Sequence, residues 1–300
     1  MPKFPLSCVV LILSATLPLG GCVSRPVAAT HALSPIGWNG QDRVELPLTI
    51  NSYGSLTVPV HIKGRHVVAI LDTGSSVPVL SPFLAAGIDM AVSDQGMARD
   101  AVAVEYGPVS QELDGIFVTD IAENQEFIAG QELFSRVVVE LDFDRDLVTL
   151  IRPGAFVPPT DKPVAVQFSG HLPTVQIRVN GHDKSVCAIV DTGFYGSVAL
   201  SPKTVDKLAL PIIPGSKAPS YGVGGKVSEA TALEPLKELR VGDQLYRNVQ
   251  DASMDDRFGV GPNACSALLG MKILSRHRII FDLGNHRMWL LPRPEIKNSR

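Results

Sequence analysis

Residues 68–77 read VAILDTGSSV, and residues 188–197 read AIVDTGFYGS. In both, an aspartate ends a run of apolar, mostly β-branched residues and is followed by threonine and glycine. An acid at the end of a buried strand is costly unless it is hydrogen-bonded or keeps its proton. A chain that places such an acid twice in the same local setting contains a duplicated unit, and an internal repeat decides the architecture before any single element does.

The repeat extends well beyond the triplets. FIAGQELFSRVVVELDFDRDLVTL (127–150) aligns with ALLGMKILSRHRIIFDLGNHRMWLL (267–291), with Gly130 matching Gly270 at an offset of 140 (270 − 130). Ser135-Arg136 and Ser275-Arg276 keep that offset, as do Asp142 and Asp282. The triplets are offset by 119 (191 − 72), so the second copy carries 21 additional residues (140 − 119) between its triplet and its later glycine. Upstream, LTVPVHIKGRHVVAILD and PTVQIRVNGHDKSVCAIVD each read as strand, turn, strand, with Lys63-Gly64 and Asn180-Gly181 as turns. Tyr106-Gly107 follows Asp72 by 34 residues and Tyr221-Gly222 follows Asp191 by 30, and both read as hairpin tips. QELFSR and MKILSRH, each just after a glycine, are the helix candidates, and PPTDKP (158–163) is a linker between the copies.

The expected fold is therefore all-β, with two pseudo-symmetric β-barrel lobes, one short helix per lobe, and a pseudo-two-fold relation like that of an isologous dimer. The expected divisions are a signal peptide at 1–21, a tether at 22–45, an N-terminal lobe at 46–156, a linker at 157–164, a C-terminal lobe at 165–293 and a polar tail at 294–300.

Composition fits this plan. The chain has 300 residues, 45% hydrophobic and 19% charged, with 26 glycines and 23 prolines that punctuate short strands. A net charge of −3 gives no basic field for nucleic acid. At the N-terminus, LSCVVLILSATL is an apolar stretch of signal-peptide length, and LPLGGC ends at Cys22. This segment resembles a bacterial lipobox, which implies acylation of Cys22, export, and attachment to a membrane through lipid chains without a spanning helix. An ordinary secretory signal cut nearby is the other reading. Val23, rather than aspartate, after Cys22 tilts the expectation towards the outer membrane of the cell envelope, by analogy with other lipoproteins. With Cys8 removed and Cys22 acylated, Cys187 and Cys265 remain. They either pair in an oxidising compartment or stay as separate buried thiols.

Two such turns meeting on a pseudo-two-fold axis bring two carboxylates together. Like charges at contact distance cannot both ionise easily, so the pair keeps one proton. One member then acts as base and the other as acid, and a water between them is deprotonated as it attacks an amide carbonyl. Gly74 and Gly193 permit close backbone approach. Thr73 and Thr192 carry hydroxyls able to reach the opposite turn, and Ser75 is placed to hydrogen-bond the outer oxygen of Asp72, which its counterpart Phe194 cannot do. A strand-capping role is the alternative for one acid alone; duplication in register favours the pair.

Here the sequence resembles the retropepsin-like and pepsin-like aspartic proteases. Apolar-apolar-Asp-Thr-Gly is their active-site signature, and Ile128-Ala129-Gly130 and Leu268-Leu269-Gly270 look like the apolar-apolar-glycine strand that threads beside it. The resemblance covers most of residues 46–293 and suggests two fused retropepsin-like halves. It implies Asp72 and Asp191 as the catalytic pair, and Thr73 and Thr192 as interlocking contacts beneath them. It also implies Gly74 and Gly193 along the substrate backbone, and Tyr106-Gly107 and Tyr221-Gly222 in flaps over an extended polypeptide. The chain would be a monomeric endopeptidase needing no cofactor and no metal; the seven histidines show no H-E-x-x-H spacing. Three positions depart from the family pattern: Phe194 follows the second triplet where a small residue is usual, Ala129 stands where a larger aliphatic is favoured, and the first half lacks the Gly224-Gly225 pair. The competing expectation is a catalytically inactive, peptide-binding envelope lipoprotein on the same fold, with Phe194 or Tyr195 filling part of the cleft.

Overall fold

The structure is a computed structural model that describes residues 34–121, 125–222, 225–256 and 264–293, with side chains at 218–228 left aside. Cys22 and the expected signal peptide lie outside the described residues, as do the expected tail at 294–300 and Val223-Gly224.

The first lobe runs β1 (Arg43–Pro47), β2 (Thr49–Ile50), β3 (Leu56–Ile62), β4 (Arg65–Leu71), β5 (Val79–Leu80), α1 (Pro82–Gly87), β6 (Val102–Tyr106), β7 (Val109–Leu113), β8 (Phe117–Val118), β9 (Phe127–Ala129), α2 (Gln131–Phe134), β10 (Val138–Asp142) and β11 (Leu147–Ile151). The second runs β12 (Val164–Ala165), β13 (Gln167–Ser169), β14 (Leu172–Val179), β15 (Val186–Val190), β16 (Val198–Leu200), α3 (Pro202–Lys207), β17 (Ala218–Gly222), β18 (Gly225–Ala232), β19 (Leu236–Val241), β20 (Gln244–Val249), β21 (Ala252–Asp255), β22 (Ala267–Leu269), α4 (Met271–Leu274), β23 (His277–Asp282) and β24 (Arg287–Pro292). The all-β expectation holds, with strands in one sheet per lobe and a third sheet that both lobes build.

That third sheet has the order β1-β11-β10-β23-β24-β12. At its centre β10 and β23 pair antiparallel, Glu140 opposite Ile280, so the repeat's final hairpins meet edge to edge on the pseudo-two-fold axis. This pairing leaves no open edge on either hairpin where the halves meet. Phe134 from α2 packs edge to face on Phe281, ring centroids 5.5 Å apart, and ties the first lobe's helix to the second lobe's strand.

Within each lobe the strand leading to the triplet is braced by the glycine strand. β4 pairs parallel with β9 (Ile70 opposite Ile128), and β15 pairs parallel with β22 (Ile189 opposite Leu268). The glycine strands β9 and β22 are buried on both sides, which is why FIA and ALL read as continuous apolar runs. The disulfide Cys187–Cys265 cross-links β15 to the segment entering β22, which settles the open choice in favour of pairing. A cross-link over a sequence separation of 78 contributes about 2–4 kcal/mol, mainly by restricting the unfolded chain.

Two differences from the sequence reading have simple causes. Residues 36–45, expected in the tether, belong to the first lobe. Gly37 exchanges backbone hydrogen bonds with Ser110 at 2.8 and 2.9 Å, Trp38 is buried, and β1 pairs along the whole of β11. The alternation of RVELP supplies that strand, and its buried face is only two residues wide. Helices α1 and α3 also went unread. In each, a serine precedes the helix and a proline is its first residue, and the serine hydroxyl caps it by accepting from Leu84 N at 3.1 Å in one lobe and Thr204 N at 3.2 Å in the other. Serine at the N-cap with proline at the first helical position was the available signal.

Candidate active site

Asp72 and Asp191 each leave a braced strand in the same way. The Asp72 amide donates to the Ala129 carbonyl at 2.9 Å, and the Asp191 amide donates to the Leu269 carbonyl at 3.0 Å. Each carboxylate then folds back onto its own turn, Asp72 Oδ1 accepting from Gly74 N at 2.7 Å and Asp191 Oδ1 from Gly193 N at 2.9 Å.

The two turns cross. A side-chain carbon on Gly74 would lie 2.6 Å from Cγ of Asp191, and one on Gly193 would lie 2.5 Å from Oδ2 of Asp72. Each glycine is therefore the space in which the opposite carboxyl sits. The two carboxyls thus lie against one another's turns, and both residues are fully buried. Burial pushes the Asp72 carboxyl up to about 6; hydrogen bonds from Gly74, Asp191, Gly193 and Ser75 pull it back part of the way.

Beneath the acids the threonines interlock. Thr73 N donates to Thr192 Oγ1 at 2.9 Å and Thr192 N donates to Thr73 Oγ1 at 3.0 Å. Each hydroxyl passes its own proton to the far strand, Thr73 to the Val190 carbonyl at 2.7 Å and Thr192 to the Leu71 carbonyl at 2.8 Å. Four buried hydrogen bonds thus fix the two turns relative to each other, as the sequence anticipated for these hydroxyls.

Other sequence-picked residues fall differently. The Ser75 hydroxyl donates to the Val77 carbonyl at 2.7 Å instead of the outer oxygen of Asp72, because the turn directs it along its own strand; Ser75 reaches Asp72 through its backbone amide. Phe194 is buried in a small cluster with Ile189, Ala199, Cys265 and Leu268, so it is core and not cleft wall.

Tyr106-Gly107 is not a flap. Its hairpin, β6–β7, pairs with β3; Tyr106 is fully buried, and Gly107 lies against Leu46 and Val44 of β1. By topology its counterpart is Val241-Gly242 between β19 and β20, which pairs with β14 in the same register. The flap-like position of the second lobe belongs to β17–β18, where Tyr221 and Gly222 end the first strand and Gly222 faces Gly225. Equivalent bridges close this region in both lobes, Val92 to Ala98 and Ile212 to Leu233. The first encloses only residues 93–97, a tight turn at Ser93–Gly96, while the second encloses residues 213–232. Most of the 21 additional residues of the second copy are therefore one hairpin, and the described residues carry a long flap-like hairpin on one side.

Sequence reasoning also missed two residues of helix α2. Gln131 Nε2 donates to the Thr73 carbonyl at 2.7 Å and buttresses the first turn; its counterpart at the offset of 140, Met271, has no such group. Glu132 accepts from Gly130 N at 2.8 and 3.0 Å. Burial, with the nearby Asp72 charge adding to it, pushes its carboxyl up to about 7. Both were visible only as helix-forming residues in QELFSR, since their partners lie 58 residues away in the chain or across the glycine turn.

Residues 175–273 match the family model described as aspartyl protease. No curated protein matches the chain. The matched segment runs from within β14 to within α4 and contains the second Asp-Thr-Gly turn, the long hairpin and the Gly270 strand; residues 56–134 lie outside the match and carry an Asp-Thr-Gly turn and a glycine strand of their own without the long hairpin.

Proposed function

We propose that this protein is an aspartic endopeptidase that hydrolyses extended polypeptides with an intramolecular pair, Asp72 and Asp191. The observation that carries this reading is the crossed placement of the two buried carboxyls, each lodged against the other turn's glycine. Two buried acids in contact hold one proton between them, and their titration belongs to the pair. The deprotonated member takes a proton from an attacking water. The protonated member donates to the carbonyl oxygen of the scissile amide, and a proton then passes to the leaving nitrogen as the C–N bond breaks. The glycines leave room for the opposite carboxyl, so a substrate backbone would meet the pair with no side chain from either glycine in between. The β17–β18 hairpin of the second lobe is the natural cover over it.

The pH dependence follows from the raised Asp72 value. With the Asp72 carboxyl at about 6, hydrolysis is fastest below that pH and falls roughly tenfold per unit above it as the shared proton is lost. Digesting a reduced, alkylated protein between pH 3 and pH 8 and following fragments by mass spectrometry tests this. A flat profile into alkaline pH contradicts the shared-proton mechanism. Absence of cleavage at every pH, with a peptide still bound, would instead support the inactive binding protein.

The reading includes export and anchoring through acylated Cys22, supported by the LPLGGC motif. Among the described residues no helix is long and apolar enough to cross a membrane. Cys22→Ala is expected to move the protein from the membrane fraction to the soluble envelope fraction; a protein that stays with the membrane overturns the lipid-anchor proposal.

A further inference from the structure

The second triplet is followed by Phe194-Tyr195-Gly196 where the first is followed by Ser75-Ser76-Val77. Phe194 is buried, but Tyr195 stays 43% exposed and reaches across to the other lobe. Its ring rests on Gly54, in the turn between β2 and β3. A side-chain carbon built on Gly54 would lie 2.0 Å from Cδ2 and 2.5 Å from Cε2 of Tyr195. Gly54 has φ +86°, so the turn itself demands glycine as well. The turn is firmly held: Asn51 Oδ1 accepts from Tyr53 N at 3.0 Å and Ser55 N at 2.9 Å, and Gly54 N donates to the Asn51 carbonyl at 3.0 Å.

The ring is held from a second direction. Lys272 Nζ lies 5.0 Å from its centroid, within cation–π range, and is itself fixed by Asp251 Oδ2 at 2.8 Å. Lys272 N also donates to the Gly196 carbonyl at 3.1 Å, so the helix carrying the ammonium is locked to the turn carrying the tyrosine. At the pseudo-symmetric place in the first lobe, Ser76 has no ring to span the lobes.

We infer that Tyr195 is a specificity-determining residue that bridges the lobes a few residues from the catalytic pair and closes one end of the cleft, so that the enzyme accepts only a short stretch of substrate on that side. The inference rests on the peptidase reading above. An extended chain advances about 3.3 Å per residue. On this reading a ring four positions past Asp191 that touches the opposite lobe stands in the path of such a chain within a few residues of the scissile bond, while on the Ser76 side no ring spans the lobes and nothing lies within 4 Å of a side-chain carbon built on Gly170 in the matching turn.

The test uses nested peptides with one scissile bond, lengthened residue by residue at either end, and measures kcat/KM for wild type, Tyr195→Ser and Tyr195→Phe. The wild type is expected to lose about tenfold or more once the chain is extended past a fixed length on one side only. Tyr195→Ser should abolish that loss, and Tyr195→Phe, which keeps the ring, should retain it. A wild type that hydrolyses the set without a one-sided limit, or a Tyr195→Ser variant that keeps the limit, overturns this inference alone. A wild type that hydrolyses no member of the set overturns the peptidase reading and this inference with it.

Discussion

Asp72→Asn is expected to lower kcat/KM for peptide hydrolysis by at least about 1,000-fold, and Asp191→Asn to do the same, because each removes one half of an acid–base pair that works only as a unit. The same change at Asp72 should make the fold more stable at neutral pH. The asparagine oxygen can still accept from Gly74 N, while the cost of burying a charge disappears. The sign follows from the direction of the shift. In the folded protein the Asp72 carboxyl titrates at about 6, above its ordinary 3.8, so between those values the native state binds more protons than the unfolded one. Wild-type stability therefore falls as pH rises through this window, by up to about 3 kcal/mol at about 1.4 kcal/mol per unit, and the full cost is present above it. Asp72→Asn should match the wild type near pH 4 and exceed it at pH 7.5. Thermal unfolding at both pH values, beside kcat/KM at pH 5, measures both effects. An active Asp72→Asn protein would remove the basis of the proposed mechanism.

Thr73→Val should destabilise the protein by about 2–5 kcal/mol, a large effect for an almost isosteric change. The threonine hydroxyl accepts from Thr192 N and donates to the Val190 carbonyl, and both partners are buried. Valine leaves each without a hydrogen bond, at a cost of about 1–3 kcal/mol per group. Thr192→Val should behave alike, since its hydroxyl serves Thr73 N and the Leu71 carbonyl. The two effects should not add: with one turn already released, the second substitution acts on a looser seam, so the double variant should lose less than the sum. Urea unfolding of the three variants measures this. A loss of under about 0.5 kcal/mol for Thr73→Val would show that the interlocking hydroxyls do not hold the lobes together.

The two Asp-Thr-Gly turns cross, and the reason they could be read in the sequence is local. An acid after an apolar strand needs donors close by, and the glycine two positions on supplies one through its amide and leaves room for the partner acid. Those requirements are met within a few residues of chain, so they can be read directly. The glycine strands were readable for the same reason, since Gly130 and Gly270 lie where another backbone crosses: a side-chain carbon on either would stand 2.4 Å from a carbonyl oxygen.

Choices between distant partners behaved differently. Tyr106-Gly107 and Tyr221-Gly222 look alike as hairpin tips, yet one is buried against β1 and the other ends the first strand of the long hairpin. A hairpin's tip residues carry no information about which strand its flank will join. That is settled by the edge left open, β3 for β6 and β21 for β18, and by a long insertion lying upstream of one equivalent strand and absent from the other. Gln131, Glu132 and Lys272 acquire their roles in the same way, from partners that folding alone brings within reach. The sequence by itself determined the repeated Asp-Thr-Gly turns and the glycine strands beside them, because those constraints act within a turn or recur at a fixed offset. Only the tertiary structure decided the shared central sheet, the one-sided long hairpin and the tyrosine between the lobes, because strand pairing and packing across a cleft depend on which surfaces remain uncovered once each half has formed.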